Sequence, residues 1–552
     1  VTVRGYSCYF RFKAGRRGSR QPSRTLASAC DPTELSAPGG AHPPGRGKMK
    51  GADVRSGGHV TRIVILGGGP GGYESALVAA SLGATVTVID SDGIGGACVL
   101  TDCVPSKTLI ATSETMTNLA LAPGLGIRPH GLGAGTEPAL PAVAWGMRSG
   151  LDGGVPPLTP PEVVSVDPEQ VYERVRELAK AQSLDIEHRL EREKVEVVHA
   201  SGRLVGPHAI ETNTGETFVG DVILIATGAS PRDLPTARPD GERILTWRHL
   251  YDLKEIPEHL VVVGSGVTGA EFASAYRAMG AEVTLVSSRE RVLPGEDPDA
   301  ARVIEDVFVR RGIEVLNRSR AASVRRIGDG VIVELSDGRT VTGSHALMAV
   351  GSVPRTKGLG LTDVGVRLGA GGHVNVDRMS RTSVPGVYAA GDCTGVLPLA
   401  SVAAMQGRIA MWHALGEAVS PLRLGTVSSN IFTEPEIATV GVTQVMKDTG
   451  AVAAEVTTVP LSRNPRAKMM GIEDGFVKLF CRPGSGSVLG GVIVAPRASE
   501  LILSVSLAVE HGLTVDQIAH TFSIYPSLSG SITEAARVLR PRDFFAGFDD
   551  QV

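Results

Sequence analysis

The sequence predicts an α/β protein with two Rossmann-like dinucleotide-binding units and a closing α+β segment. Three stretches carry that prediction. Residues 61–90, "TRIVILGGGPGGYESALVAASLGATVTVID", read as strand, glycine turn, helix and strand. Residues 259–288, "HLVVVGSGVTGAEFASAYRAMGAEVTLVSS", repeat the same grammar. After about Leu424 the composition shifts, and "TEPEIATVGVT" opens a last segment of mixed helix and strand. Two strand–helix–strand units of this kind imply two parallel sheets, each with its own nucleotide site.

The remaining segments follow from composition. Residues 1–57 are rich in Arg, Ser, Gly and Pro, poor in acids, and show no sustained apolar periodicity. They read as a disordered or mis-started leader with Met49 as an alternative start; a transit peptide is the other reading. Cys8 and Cys30 lie there and receive no role. The first dinucleotide domain is expected over 58–245, interrupted at about 121–161 by a Gly/Pro-rich surface loop, with helix resuming near Pro168. The second is expected over 246–358, a return to the first over 359–424, the α+β segment over 425–540, and a loose tail over 541–552.

Bulk numbers bound the partners. Lys and Arg total 55 against 58 Asp and Glu, a net charge of −3, so nothing points to nucleic acid or an acidic membrane surface. No apolar run is long enough to span a bilayer. The 6 cysteines are too scattered for a secreted disulfide framework and form no CxxC pairs of the zinc type. The expected setting is a reducing cytoplasm, with no metal site.

Gly67, Gly69 and Gly72 follow the strand Ile63–Leu66 as GxGxxG. The first glycine permits a tight turn, the second admits a pyrophosphate, and the third lets helix pack on strand. Asp90 ends the next strand, where a carboxylate can accept from a ribose hydroxyl. Gly264, Gly266 and Gly269 repeat the motif after Leu260–Val263, but the following strand ends in Ser287, Ser288 and Arg289. With no carboxylate there to repel a 2′-phosphate, and Arg289 or Arg291 able to attract one, use of both NADH and NADPH is expected. The alternative is that both arginines belong to a solvated loop.

In "GGACVLTDCVPSK" (95–107), four residues separate Cys98 from Cys103. That spacing suggests a redox-active disulfide, which needs a base to keep one sulfur as thiolate.

Taken with these motifs, "ILIATGASP" (223–231), "LMAVGSVPRT" (347–356), "GVYAAGDCTG" (386–395) and "TEPEIATVG" (433–441) stand in an order that resembles the class I pyridine nucleotide–disulfide oxidoreductases, the family of lipoamide dehydrogenase and glutathione reductase. The resemblance covers about 60–540 and implies an FAD domain, an NAD(P) domain and a dimerisation domain in a homodimer. It implies that Thr227 and Gly228, Gly351, and Gly391 with Asp392 serve cofactor binding, Asp392 by holding the ribityl chain. It also implies that Lys107 pairs with Glu271 beside the flavin, that Cys103 faces the flavin, and that Cys98 exchanges with substrate.

The same resemblance exposes a departure. The family's base is a histidine oriented by a glutamate within an "HPTxSE"-like stretch of the partner subunit. Here the stretch is "YPSLSGSITE", with Tyr525 in place of the histidine and Gly530 in place of the glutamate. A phenol with a pKa of ~10 is a poor base at neutral pH. His520 falls out of register, and Glu534 has no histidine to orient. Agreement at "GERILTWRHLYDL", "PLASVAAMQGRIAM" and "YPSLSGSITEAA" resembles the family's NAD(P)H:quinone reductases. The expectation is therefore hydride transfer from NADPH or NADH to FAD, and from there to a quinone-type acceptor. Tyr525 is read either as a proton donor or as a packed interface aromatic. Because Cys98 is retained, a dihydrolipoamide dehydrogenase-like activity stays open. So does a flavin-bound redox sensor without turnover.

Overall fold

The computed structural model describes residues 60–125, 127 and 165–540. The expected leader, most of the 121–161 insertion and the 541–552 tail lie outside the described residues. Residues 121–125 of that insertion are helical: they complete the helix Cys103–Leu121 and the 3-10 turn Ala122–Leu125.

Two parallel sheets form as the hydrophobic runs require. In the first, the strand order is Val387–Ala389, Val222–Ile225, Arg62–Leu66, Thr85–Asp90 and Glu196–His199. Its central strands are apolar at nearly every position because helices pack on one face and the strands of 202–219 with the 359–376 segment on the other. In the second, Glu314–Leu316, Glu282–Val286, His259–Val263, His345–Met348 and Ile244–Leu245 lie side by side. Ile244–Leu245, just before the expected boundary at 246, already pairs with Ala346 and Leu347 of this second sheet. Val387–Ala389 carries the chain back to the first sheet, alongside Ile223–Ile225.

The last segment is a five-stranded antiparallel sheet, backed by the helix Ala498–His511. That helix buries Ile502, Val505 and Ala508 but leaves Leu503 and Leu507 exposed on another face. An ion cluster built on a buried Lys478–Asp297 pair, with Asp299 at its exposed edge, joins this sheet to the second dinucleotide domain. Lys478 Nζ reaches both carboxylate oxygens of Asp297 at 2.8 Å and Asp299 Oδ2 at 2.8 Å.

Three helices meet where the chemistry is expected. Cys103–Leu121, Pro168–Arg192 and Val267–Ala278 share one core through Leu109, Tyr172, Phe272 and Tyr276. Inside it the hydroxyls of Tyr172 and Tyr276 meet at 3.2 Å, so neither is stranded in an apolar interior. This packing sets the first helix, which carries Lys107, against the third, which carries Glu271.

Candidate active site and nucleotide-binding loops

The first glycine loop has no room for side chains at its tight points. Gly67 has φ +112°, and a Cβ at Gly72 would stand 1.8 Å from the Gly67 carbonyl oxygen. Gly69 by contrast faces open space on the side a ligand would approach. Gly264, Gly269 and Gly266 reproduce these three environments in the second loop. Both loops feed helix N-termini, at Pro70 and Val267, whose amides suit a pyrophosphate.

The two strands that follow end differently. Asp90 Oδ2 accepts from the Gly68 amide at 2.6 Å, while Oδ1 accepts from the amides of Asp92 and Gly93 at 2.8 and 2.7 Å. Burial pushes its carboxyl up, against the pull of these amides. One lone-pair direction on Oδ2 remains for a ribose hydroxyl. The position matching Asp90 in the second unit is Ser287. It is buried, and its hydroxyl bonds that of Ser265 in the glycine loop at 2.7 Å. Ser288 and Arg289 are exposed, and Arg291 is half-buried.

The segments around Thr227 and Gly351 come together through a two-stranded ribbon, Ala229–Pro231 against Ser352–Pro354. Thr227 Oγ1 donates to the Arg355 carbonyl at 2.6 Å, the Arg355 amide to the Gly228 carbonyl at 3.0 Å, and the Arg232 amide to the Gly351 carbonyl at 3.0 Å. Gly391 donates its amide to Gln406 Oε1 at 2.9 Å, which holds the turn that presents Asp392. Burial raises the Asp392 carboxyl, and His373 opposes that rise.

Lys107 Nζ donates to Glu271 Oε2 at 2.8 Å. The other carboxylate oxygen of Glu271 accepts from the Phe432 amide at 2.9 Å, and the Phe432 ring lies 4.8 Å from Lys107 Nζ. Burial alone would lower the Lys107 ammonium, but its neighbours, the Glu271 carboxylate first, leave it raised. Glu271 is almost wholly buried, so the ion pair is fixed in place.

Cys98 and Cys103 are free thiols within hydrogen-bonding reach of each other. That bond lowers the Cys98 thiol and raises Cys103, so Cys98 is the more acidic sulfur. Sequence reasoning missed two participants here. Phe432 stands directly before the "TEPEIATVG" stretch, and its backbone amide leaves no signal in a sequence. Asp102 adjoins Cys103; burial pushes its carboxyl up to about 6, with Lys107 opposing.

Tyr525 is 82% exposed, with Phe522 and Ile524 exposed beside it. Gly530 opens the helix Gly530–Val538, and Glu534 on that helix pairs with Arg537 at 3.2 Å. His520 closes the helix Val515–His520 and contacts Asp516. Within one chain, therefore, none of the residues of this stretch is brought to the cysteines.

The profile of the family described as "Pyridine nucleotide-disulphide oxidoreductase" matches residues 61–407, and that of its dimerisation domain matches 427–536. This chain is a pyridine nucleotide–disulphide oxidoreductase. The oxidoreductase is 54% identical over 497 residues to a protein of Mycobacterium tuberculosis named NAD(P)H dehydrogenase (quinone), across 88% of this chain and 95% of the other. It is 31% identical to the dihydrolipoyl dehydrogenase of Bacillus subtilis, across 87% and 96%. The crystal structure of LpdA from Mycobacterium tuberculosis superposes with a TM-score of 0.78 at 54% identity, covering 87% of this chain and all of that one. The flavoprotein disulfide reductase RclA from Escherichia coli, at 22% identity and a TM-score of 0.73, shares the fold.

Membership makes the oxidoreductase an enzyme of FAD and NAD(P)H, and the residues present fit both groups. The open flank of Gly69, the free direction on Asp90 and the raised carboxyl of Asp392 suit FAD. The second loop, which lacks a terminal acid, suits NAD(P)H. Residues 427–536 form its dimerisation domain, and Leu503, Leu507, Phe522 and Ile524 supply exposed apolar surface there. Among the described residues no helix is long and apolar enough to cross a membrane.

Proposed function

We propose that this enzyme passes electrons from NAD(P)H to a quinone-type diffusible acceptor in a cytoplasmic setting. One observation carries the reading. The Lys107–Glu271 pair is intact, whereas the stretch where the family places its thiol-activating base carries Tyr525 and Gly530. The name of the 54% identical relative agrees. FAD, when bound, supplies acceptance of hydride from the nicotinamide and its onward delivery as an electron pair. Lys107 holds positive charge where negative charge builds up, and Glu271 with the Phe432 amide keeps that cation from moving. Asp90 and the first glycine loop anchor the adenine half of FAD, Asp392 its ribityl chain, and the second loop the nicotinamide nucleotide. Tyr525, exposed on the dimerisation domain, is the residue we assign to give a proton to the acceptor in the partner's site.

Dihydrolipoamide-type chemistry is a second reading, favoured by the adjacency of Cys98 to Cys103 and the lowered Cys98 thiol. An acceptor panel with NADH and NADPH on purified, FAD-loaded dimer decides between them. Turnover with quinones and little with dithiols is the expected result. Turnover confined to dithiols, and lost in Cys98→Ala, would put the second reading first.

A further inference from the structure

Arg318 holds its backbone at φ 55°, in the left-handed region that residues with a side chain seldom adopt. Glycine or asparagine fills such a position at less cost. The turn around Arg318 runs beside the segment that follows the second strand of the nicotinamide domain. The Arg318 amide donates to the Arg289 carbonyl at 2.7 Å, and the Ser319 amide to the Ser287 carbonyl at 2.7 Å. The Arg318 guanidinium pairs with Glu290. A second acid at this turn, Glu305, is taken up by the Val292 amide at 3.1 Å and by Asn317 Nδ2 at 2.6 Å. Arg289 is exposed, and among the described residues its guanidinium has no partner.

We propose that Arg318 is a positioning residue for nucleotide choice: by occupying Glu290 it leaves Arg289 as an unopposed cation for the 2′-phosphate of NADPH. Glu290 follows Arg289 directly in the chain. Without a partner its carboxylate would compete for the Arg289 guanidinium and repel a phosphate at the same place. The Arg318–Glu290 pair is exposed on both sides, so it adds little to stability. An arginine at a strained backbone position, making a bond of little structural worth, is instead what a binding site retains. This role rests on the second glycine loop holding the nicotinamide nucleotide, and it is independent of the electron acceptor.

The test is calorimetric binding of 2′,5′-ADP and of 5′-AMP to the FAD-loaded dimer at low ionic strength. Arg318→Gly fits the left-handed backbone, so it should melt at or above the wild-type temperature. It should nevertheless bind 2′,5′-ADP about fivefold more weakly, the upper end for one exposed charge interaction, with 5′-AMP unchanged. Adding Glu290→Gln should restore the lost affinity, because the competing anion is then gone. The difference between wild type and Arg318→Gly should vanish in ~1 M salt, where charges are screened beyond ~3 Å. Arg318→Asn, also at ease at positive φ, carries the test if the glycine variant loosens the turn. Unchanged 2′,5′-ADP affinity, equal losses for both nucleotides, or no recovery in the double variant overturns the proposal. So does a wild type that binds the two nucleotides equally. Quinone turnover is measured in parallel: its absence in wild type would sink the acceptor reading and leave the nucleotide result standing.

Discussion

Lys107 and Glu271, 164 positions apart in sequence, meet at 2.8 Å because two helices from different dinucleotide domains share one core. One helix begins at Cys103, and the other begins behind the second glycine loop. The ion pair therefore couples the cysteine region to the nicotinamide domain. The Phe432 amide adds the C-terminal segment to the same carboxylate.

Replacing Lys107 with Met should cost about 1.5–3 kcal/mol of stability, the range for a hydrogen bond to a charged group. The loss falls at the low end because Glu271 keeps the Phe432 amide. Glu271→Gln should cost less, since an amide oxygen still accepts. Both variants should slow reduction of bound FAD by about a hundredfold, as when an electrostatic stabiliser is removed, while FAD retention changes little. Stopped-flow reduction at the wild-type rate in both would remove the pair from the mechanism.

Asp90→Ala removes the acceptor of three amides, those of Gly68, Asp92 and Gly93. The glycine loop should loosen along with the ribose contact. We expect weaker FAD retention on gel filtration and a lower melting temperature, and added FAD should restore much of the melting point. Asp90→Asn, which keeps an acceptor oxygen, should lie between. Full retention of FAD by the alanine variant would mean that the loop holds without Asp90.

Nucleotide choice should be set by the exposed residues beyond Ser287, because Ser287 itself is buried against Ser265. A glutamate at Ser288 would face the region of a 2′-phosphate without disturbing the loop. Ser288→Glu and Arg289→Glu should each lower kcat/KM for NADPH by about tenfold while sparing NADH, through like-charge repulsion. An unchanged ratio of the two kcat/KM values would place the 2′-phosphate elsewhere.

The glycine loops, their strands and Asp90 were legible because backbone geometry demands those residue types at those spacings. Lys107, Glu271 and Asp392 became legible only through the family resemblance, since nothing local distinguishes them from surface charges. Ser287 reads in sequence only as a strand end without the acid that would favour NAD, and its burial against Ser265 shows only in the structure. Lys478 was invisible for a similar reason: a lone lysine in "FVKLFC" gives no hint that Asp297 and Asp299 lie opposite. Asp102 went unread because an aspartate before a helix ordinarily means a cap.

Asp102 also makes a prediction about stability. Its carboxyl is raised to about 6 in the folded chain, above an unfolded value near ~4. A raised acid contributes its full stability below the unfolded pKa and loses it as pH rises through the folded one. Wild type should therefore lose roughly 2 kcal/mol relative to Asp102→Asn between about pH 4 and pH 7. Urea unfolding of the two proteins across that window reads the difference directly. A constant gap would show that Asp102 titrates normally.

The cysteine pair gives the last prediction. If electrons go to a diffusible acceptor, Cys98→Ala should leave quinone reduction within a few-fold of wild type. The Lys107–Glu271 pair does not depend on Cys98, and transfer to a quinone needs no thiolate. Adding Tyr525→His and Gly530→Glu to the wild-type chain should raise dithiol activity. An imidazole with a pKa near ~6.5 can then reach the partner's exchange sulfur and hold it ionised. The quinone assay on Cys98→Ala is the stricter measurement. A loss of about two orders of magnitude there, well beyond what a packing change at a half-buried residue explains, would put the sulfurs on the electron path.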